Sequence, residues 1–207
     1  MLVNPAIFGT GGGGKSPVVS TGLVVREKND GTPQEPKKFA YQSNTAVSSS
    51  TDCTIEIHFT ATGLPSGQNY GYLLQLPRDS TSYSLILSVS NVSGDIPTGG
   101  DWGFVITVGG YDYALSSVLL YDTPYTLTCK ITNGEMQFYV NGVSDDTLTK
   151  TFSYNGNQFG AFRRSDSSTD SDRTVNGEWN EFRIYNRALT DAEILANYNA
   201  DTANYET

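Results

Sequence analysis

A phosphate-loop pattern lies near the N-terminus of the chain. Residues 9–16 read Gly-Thr-Gly-Gly-Gly-Gly-Lys-Ser and match G-x-x-x-x-G-K-[ST] at every fixed position. Phosphate binding also needs a buried strand before the loop and a helix after it, because backbone N–H groups at the helix N-terminus hold the phosphates. Only eight residues precede Gly9, and residues 17–22 show no helical period. We therefore expect no nucleotide binding, and we interpret residues 1–17 as a flexible glycine-rich arm.

A cluster of acidic residues is the main candidate metal site, and Asp145-Asp146 after the Asn141-Gly142 turn is a second candidate of similar standing. Asp166, Asp170 and Asp172 lie among serines, after two arginines. Carboxylates two residues apart can bind one Ca²⁺ if the loop curls, because Ca²⁺ prefers oxygen ligands. The loop has no glycine at a fixed offset and no glutamate in register, so a solvated loop with Arg–Asp pairs is the main interpretation. Calcium is the only cofactor left open.

Catalytic groups are scarce in this sequence. A retaining glycosidase needs two carboxylates about 5 Å apart. Glu178 and Glu181 are three residues apart on a predicted strand, so we expect them to face opposite sides of the sheet. His58 is the one histidine and is expected at the surface beside Glu56. We predict that the protein is not an enzyme.

Aromatic residues near turns are the candidate ligand-binding residues. Trp102, Tyr111 and Tyr113 flank one predicted hairpin. Sugar C–H faces stack on aromatic rings, so this group could contact a glycan. The competing interpretation is that tyrosines at strand ends are half-buried rim residues with a hydrated hydroxyl.

Charge and cysteine content exclude several classes of partner. The 207-residue chain has a net charge of −9, which argues against nucleic acid and anionic membranes as partners. No apolar run approaches the ~18 residues of a membrane span, and no secretion signal is visible. Cys53 and Cys129 have inward parity and could meet across the core, but without a secretion signal two buried free thiols are favoured.

The spacing of apolar residues predicts an all-β protein. Period-2 alternation is steady from residue 52, and Asn133-Gly134 predicts a type I′ hairpin between two such strands. Val18 to Val25 is the predicted first strand. One short C-terminal helix is expected. We predict a single jelly-roll sandwich over residues 18–200 and a tail over 201–207.

The start of the helix is the clearest local signal. Thr190 and Glu193 have the spacing of a capping box, and Leu189 and Ile194 that of a hydrophobic staple. We predict a helix that runs to about residue 199. It should dock on the sandwich through the staple residues together with Leu195 and Tyr198.

Three segments carry a resemblance to a known family. Residues 175–194 contain Arg-Ile-Tyr-Asn-Arg-Ala-Leu followed by the capping box, residues 138–142 read Phe-Tyr-Val-Asn-Gly, and residues 53–59 read Cys-Thr-Ile-Glu-Ile-His-Phe. The chain resembles laminin-G-like, concanavalin A-type jelly rolls over roughly residues 50–200, with Asn180 where the family usually has Asp. The resemblance implies a concanavalin A-like fold. Such domains mostly bind glycans or proteins, sometimes with calcium, and a minority of the wider fold are glycosidases.

The leading hypothesis is a non-catalytic, lectin-like module that recognises a glycan or a protein surface. It would be displayed on a virion or otherwise lie outside the cell without a recognisable secretion signal. The alternative is a purely structural bacteriophage protein, either capsid-decorating or tail-associated. A glycoside hydrolase is the least favoured interpretation.

The N-terminal arm supports the virion hypothesis. Val3, Ile7 and Phe8 are too hydrophobic for a plain linker, and Pro5 favours an extended chain. An extended apolar segment before a glycine hinge suits strand addition to another subunit. We predict that the arm contacts neighbouring subunits.

Overall fold

The computed structural model is a sandwich of two antiparallel sheets. It describes residues 17–28, 37–48, 52–64, 66–75, 85–108, 111–150, 153–161 and 175–205. The described elements, in chain order, are β1 Leu23–Lys28, β2 Lys37–Ser48, β3 Cys53–Gly63, β4 Tyr70–Gln75, β5 Ile86–Ser90, β6 Gly103–Val108, β7 Tyr111–Ala114, β8 Pro124–Thr132, β9 Glu135–Val140, β10 Val143–Thr149, β11 Ser153–Ala161, β12 Asn176–Tyr185 and α1 Asp191–Tyr205.

The two sheets enclose one apolar core. One sheet has the order β1-β12-β3-β8-β9-β10 and the other has the order β2-β11-β4-β5-β6-β7. Alternate residues of the facing strands point between the sheets and are removed from water, which is the main favourable term in folding. They include Ile55, Ile57, Phe59, Leu87, Val89, Phe104, Leu127 and Phe182. The predicted all-β sandwich with one C-terminal helix is confirmed.

The Asn133-Gly134 turn takes the predicted conformation, and the Asn141-Gly142 pair has positive φ values as well. Asn133 and Gly134 have φ values of 51° and 84°, and they join β8 to β9. Asn141 and Gly142 have φ values of 53° and 75° and lead into β10. A type I′ turn needs positive φ at both central residues, which asparagine and glycine adopt at low cost.

The first strand begins later than the pattern predicts. Strand β1 starts at Leu23, after a turn in which Gly22 has φ 78°. The preceding residues contact the end of the chain instead. The N–H of Val19 donates to Asn197 Oδ1 at 2.7 Å, and Tyr185 Oη donates to the carbonyl oxygen of Val19 at 3.1 Å. The predicted strand from Val18 to Val25 is therefore wrong in its first half.

The capping box of helix α1 is confirmed in full. The N–H of Glu193 donates to Thr190 Oγ1 at 3.3 Å, and the N–H of Thr190 donates to Glu193 Oε2 at 2.9 Å. The staple residues Leu189 and Ile194 are both buried in one small apolar cluster. Arg187 adds an ion pair to Glu193 at 2.6 Å, which holds the chain before the helix against its first turn.

Helix α1 is longer than predicted, and it covers the outer face of the first sheet. It continues to Tyr205, so the predicted tail over residues 201–207 is wrong for its first five positions. Asp201 is fully buried against the sheet. Leu195, predicted to dock in the interface, is instead 45% exposed. It lies over the tight turn at Gly142, where an added Cβ would come within 3.0 Å of Leu195 Cδ1.

Candidate functional site

Two loops at one end of the sandwich form the candidate binding surface. We call residues 91–102 and 115–123 the loop end. The N–H of Asp101 donates to the carbonyl oxygen of Leu119 at 2.8 Å, so each loop supports the other. The N–H of Asp122 donates to the carbonyl oxygen of Ala61 at 2.8 Å, which ties the loop end to strand β3.

A further contact closes the edge of the sandwich beside this surface. Both carboxylate oxygens of Asp145 accept backbone N–H groups, from Ser116 and from Ser117, each at 2.9 Å. This links strand β10 of one sheet to the segment after β7 of the other. The loop 115–123 is therefore anchored at both of its ends.

Trp102 is the base of the loop end and does not reach solvent. Its side chain is 0% exposed and makes edge-to-face contacts with Phe104 and Tyr125 at centroid distances of 5.2 and 5.9 Å. Its indole Nε1 has no hydrogen-bond partner among the described residues. A sugar could not stack on this ring in the structure, so the predicted direct contact at Trp102 is wrong. Strand-end position alone could not distinguish an inward ring from an outward one.

Tyr121 is the aromatic residue that Trp102 supports at the surface. The two rings stack with centroids 6.3 Å apart and planes 21° apart. Tyr121 is half-buried, and its N–H donates to Asp101 Oδ2 at 3.1 Å. Burial, and then the Asp101 carboxylate, raise the pKa of the Tyr121 phenol. The phenol therefore stays protonated at neutral pH and can donate a hydrogen bond.

The surroundings of Tyr121 combine polar and apolar groups. Asp101 and Asp122 are exposed, and Asp122 has φ 57°. Val118 and Leu120 are exposed by 49% and 43%, although Leu119 between them is buried. An aromatic ring beside a fixed carboxylate, with exposed apolar side chains on the same loop, can bind a ligand with both hydroxyl groups and C–H faces.

Tyr113, another of the predicted aromatic residues, does not join this group. Tyr113 pairs with Ile106 of strand β6, and Ile106 is four residues beyond Trp102 in the chain. The centroid of the Tyr113 ring lies 5.3 Å from Lys150 Nζ. Tyr111 pairs with Val108, and its side chain lies outside the described residues.

The remaining predicted site residues also lie outside the described part of the chain. These are Asp166, Asp170 and Asp172 of the acidic loop and Val3, Ile7 and Phe8 of the arm. The calcium site and the subunit contact stay predictions. Within the described ranges, no group of three His, Cys, Asp or Glu side chains is arranged to hold a metal ion.

Sequence reasoning missed a buried polar cluster beneath helix α1. Glu56 and His58, expected on a solvent-facing surface, are each 1% exposed. Arg183 lies beside them and pairs with Asp201 of the helix at 2.6 Å and with Glu56 at 2.8 Å. Asn197 Nδ2 donates to Glu56 Oε2 at 2.8 Å. The available signal for a buried cluster was Asp201. It lies seven positions after the apolar Ile194, so a helix that continued this far would place it on the same, sheet-facing side.

The cluster shifts the protonation of its members in opposite directions. Burial raises the pKa of Glu56 despite the attraction of Arg183. Burial lowers the pKa of His58, whose Nδ1 lies 2.9 Å from Thr126 Oγ1 and whose ring stacks on Tyr205. Burial tends to raise the pKa of Glu181 as well, but the positive charges of Arg183 and Arg26 outweigh burial and lower the pKa of that carboxyl.

A β-bulge changes the expected geometry of the glutamate pair. The register between β12 and β3 shifts between Trp179 and Glu181, so Glu178 pairs with Thr60 and Glu181 pairs with His58. Glu178 and Glu181 consequently lie on the same face, and the prediction of opposite faces is wrong. They still differ in environment. Glu178 is exposed, whereas Glu181 is buried, pairs with Arg26 and accepts from Tyr205 Oη at 2.6 Å.

The two cysteines are buried free thiols, as predicted. They lie on neighbouring strands of one sheet, where Cys53 pairs with Ile131 and Cys129 pairs with Ile55, and not across the core. Burial, and then Asp52, raise the pKa of Cys53 to about 12. Burial also raises the pKa of Cys129, so neither thiol is reactive at neutral pH.

The fold and its closing strand and helix define the class of protein. The chain belongs to the concanavalin A-like lectin/glucanases superfamily, whose family model matches residues 38–195. The resemblance drawn from the closing motif is thus confirmed. No curated protein matches the sequence. No described helix has the length and hydropathy needed to cross a membrane.

Solved structures with this fold include binding proteins and parts of enzymes. The native heptameric SAP-like pentraxin of Limulus polyphemus aligns with a TM-score of 0.57 and 14% identity, over 87% of this chain and 78% of the pentraxin. The CBM40 of the Ruminococcus gnavus IT-sialidase, bound to α2,6-sialyllactose, aligns with a TM-score of 0.51 and 15% identity, over 86% of this chain and 100% of that module.

The third comparison is with a larger enzyme. The Trypanosoma rangeli sialidase in complex with sialic acid aligns with a TM-score of 0.59 and 14% identity, over 89% of this chain. The chain spans 35% of the length of that sialidase. At these identities the likeness concerns the fold.

Proposed function

We propose that the protein is a non-catalytic, lectin-like module that binds a glycan at the loop end. The observation that carries the proposal is the stack of Tyr121 on the buried Trp102, beside the Asp101 carboxylate. The buried indole fixes the tyrosine ring, so little side-chain entropy is lost when a sugar stacks on it.

The chemistry of the loop end suits a sugar ring. Tyr121 offers an aromatic face and a hydroxyl donor, and Asp101 and Asp122 offer acceptors for the ligand's hydroxyl groups. The N–H of Tyr121 holds the Asp101 carboxylate in place, and the backbone bond of Asp122 fixes the main chain that carries the second carboxylate. Shape and fixed hydrogen-bond partners give specificity in such sites.

The absence of catalysis is supported by the state of the buried carboxylates. Glu56 and Asp201 are both bound to Arg183, and Glu181 is bound to Arg26. Glu56 and Glu181 lie beneath helix α1, and Asp201 is buried on the side of that helix that faces the sheet, so the helix separates all three from a substrate. A glycosidase needs one protonated and one ionised carboxyl on either side of an accessible bond.

A glycan microarray tests the proposal. The wild-type protein should bind at least one class of glycan, and Tyr121→Ala should weaken that binding roughly tenfold or more, since the stacking surface is lost. Tyr121→Phe should keep much of it, because the ring remains. Binding should be measured with calcium and with EDTA, so that a calcium-dependent contribution of the 166–172 loop is separated.

Tyr113→Ala is the matched control. Tyr113 is also half-buried in its strand, but it lies near Lys150, away from the stack on Trp102. We expect its glycan binding to equal that of the wild type. A folded Tyr121→Ala variant with unchanged glycan binding would contradict the site, and a wild-type protein that binds no glycan would contradict the function.

A further inference from the structure

The loop end carries negative charges and no positive ones. Residues 91–102 and 115–123 contain three aspartates and no lysine, arginine or histidine. We propose that this site selects uncharged glycans and rejects those with a terminal sialic or uronic acid, with Asp101 and Asp122 as the residues that determine the selection. This inference rests on the proposed glycan-binding function.

Asp101 and Asp122 are more accessible to a ligand than Asp95, the third aspartate of the loop end. Asp95 accepts from Ser90 Oγ at 2.6 Å and is half-buried. Asp101 and Asp122 are exposed on the same loop pair as Tyr121, one on each side of the contact between loops.

An anionic sugar would meet these charges without a compensating cation from either of the two loops. Proteins usually bind carboxylates through the paired N–H donors of arginine. The loop end has no such donor, and like charges a few ångströms apart repel each other strongly near a protein surface. The chain's net charge of −9 adds a longer-range repulsion that salt screens.

A neutral glycan would meet the same two carboxylates as hydrogen-bond acceptors. Its hydroxyl groups can donate to the Asp101 and Asp122 carboxylates, and such charge-assisted hydrogen bonds are stronger than neutral ones. The same two side chains therefore attract one class of glycan and repel the other. Specificity built on repulsion of a competing ligand is common at binding sites.

The test compares glycans that are identical except for the terminal acid. Matched pairs with and without terminal sialic acid, including lactose and its α2,3- and α2,6-sialylated forms, are titrated at low and high salt. The wild type should bind the neutral partner roughly tenfold or more tightly at low salt, and the difference should shrink at high salt. Asp101→Asn and Asp122→Asn should each reduce the difference in affinity between the neutral and the acidic glycan further. Asparagine is suitable at position 122 because it tolerates the positive φ of that residue.

The outcomes separate this inference from the proposed function. Preferential binding of sialylated glycans would overturn the selection but leave glycan binding intact. If the double variant Arg163→Ala/Arg164→Ala abolished that preference, the acid would be recognised by the 162–174 segment instead. Equal binding of both partners in the wild type would also overturn the inference. Failure of every glycan to bind would overturn both proposals.

Discussion

Arg183 and Asp201 form a bidentate ion pair that fastens helix α1 to strand β12. The Nη1–Oδ1 distance is 2.8 Å and the Nη2–Oδ2 distance is 2.6 Å, and both side chains are almost fully buried. Thr126 Oγ1 donates to the same Asp201 carboxylate at 3.2 Å. The pair joins the last turns of the helix to the centre of the first sheet.

Removal of Asp201 should destabilise the protein strongly. Asp201→Ala leaves Arg183 buried with fewer partners, and breaking a buried ion pair costs about 3–5 kcal/mol. Urea denaturation measures the change in the free energy of unfolding. Asp191→Ala on the same helix is the control, since the Asp191 side chain is 71% exposed in its pair with Lys130 and ion pairs at the surface contribute about 0–1 kcal/mol. Equal losses in the two variants would contradict the structural role of the buried pair.

Acid should weaken the fold through His58. Burial holds the folded-state pKa of His58 below its usual value of 6.5, so the unfolded chain takes up this proton first as the pH falls. The His58 contribution is complete above about pH 6.5 and is lost as the pH falls towards the folded-state pKa. His58→Gln does not titrate and should lose less stability between pH 7.5 and 5.5. Parallel pH profiles for the two proteins would show that His58 is not the group responsible.

Loss of the helix cap should have a smaller effect. Thr190→Ala removes the side-chain acceptor for the N–H of Glu193 and should cost about 1 kcal/mol. Thermal unfolding followed by circular dichroism measures it. Thr149→Ala, an exposed strand position, should leave the melting temperature nearly unchanged. An unaltered melting temperature in Thr190→Ala would contradict the capping box.

A comparison of alanine variants at two glycines separates the cost of backbone strain from the cost of contact with helix α1. Gly142 and Gly67 have nearly equal φ values of 75° and 78°. An added Cβ at Gly142 would lie 3.0 Å from Leu195 Cδ1, whereas one at Gly67 would meet nothing within 4 Å. Both alanine variants should lose roughly 1 kcal/mol from strain, and Gly142→Ala should lose more because Leu195 must move. Equal melting temperatures would mean that Leu195 yields without cost.

Local features of the fold were predictable because few residues decide them. The Asn133-Gly134 turn and the Thr190 cap depend on contacts within a few positions of the chain. Alternation likewise identified the inward faces of β3 and β8. These features need no knowledge of distant segments, so the sequence pattern was sufficient for them.

The buried cluster and the exposed tyrosine depend on distant contacts. The parity of Glu56 and His58 was right, but helix α1, more than 130 residues later in the chain, covers the face that was taken as solvent-exposed. The bulge at Trp179–Glu181 reversed the expected parity of one glutamate. Tyr121 went unnoticed because it lies in a loop without alternation, and its stack on Trp102 exists only in the folded chain.

Glycan binding at the loop end is tested most directly by mapping backbone amide NMR shifts during a titration. The ligand is a neutral glycan that the wild-type protein binds on the microarray. The proposal predicts saturable shifts centred on Asp101, Tyr121 and Asp122, with little change around Tyr113 and Lys150. Saturable shifts confined to other surfaces, with these three amides unmoved, would contradict the proposed site.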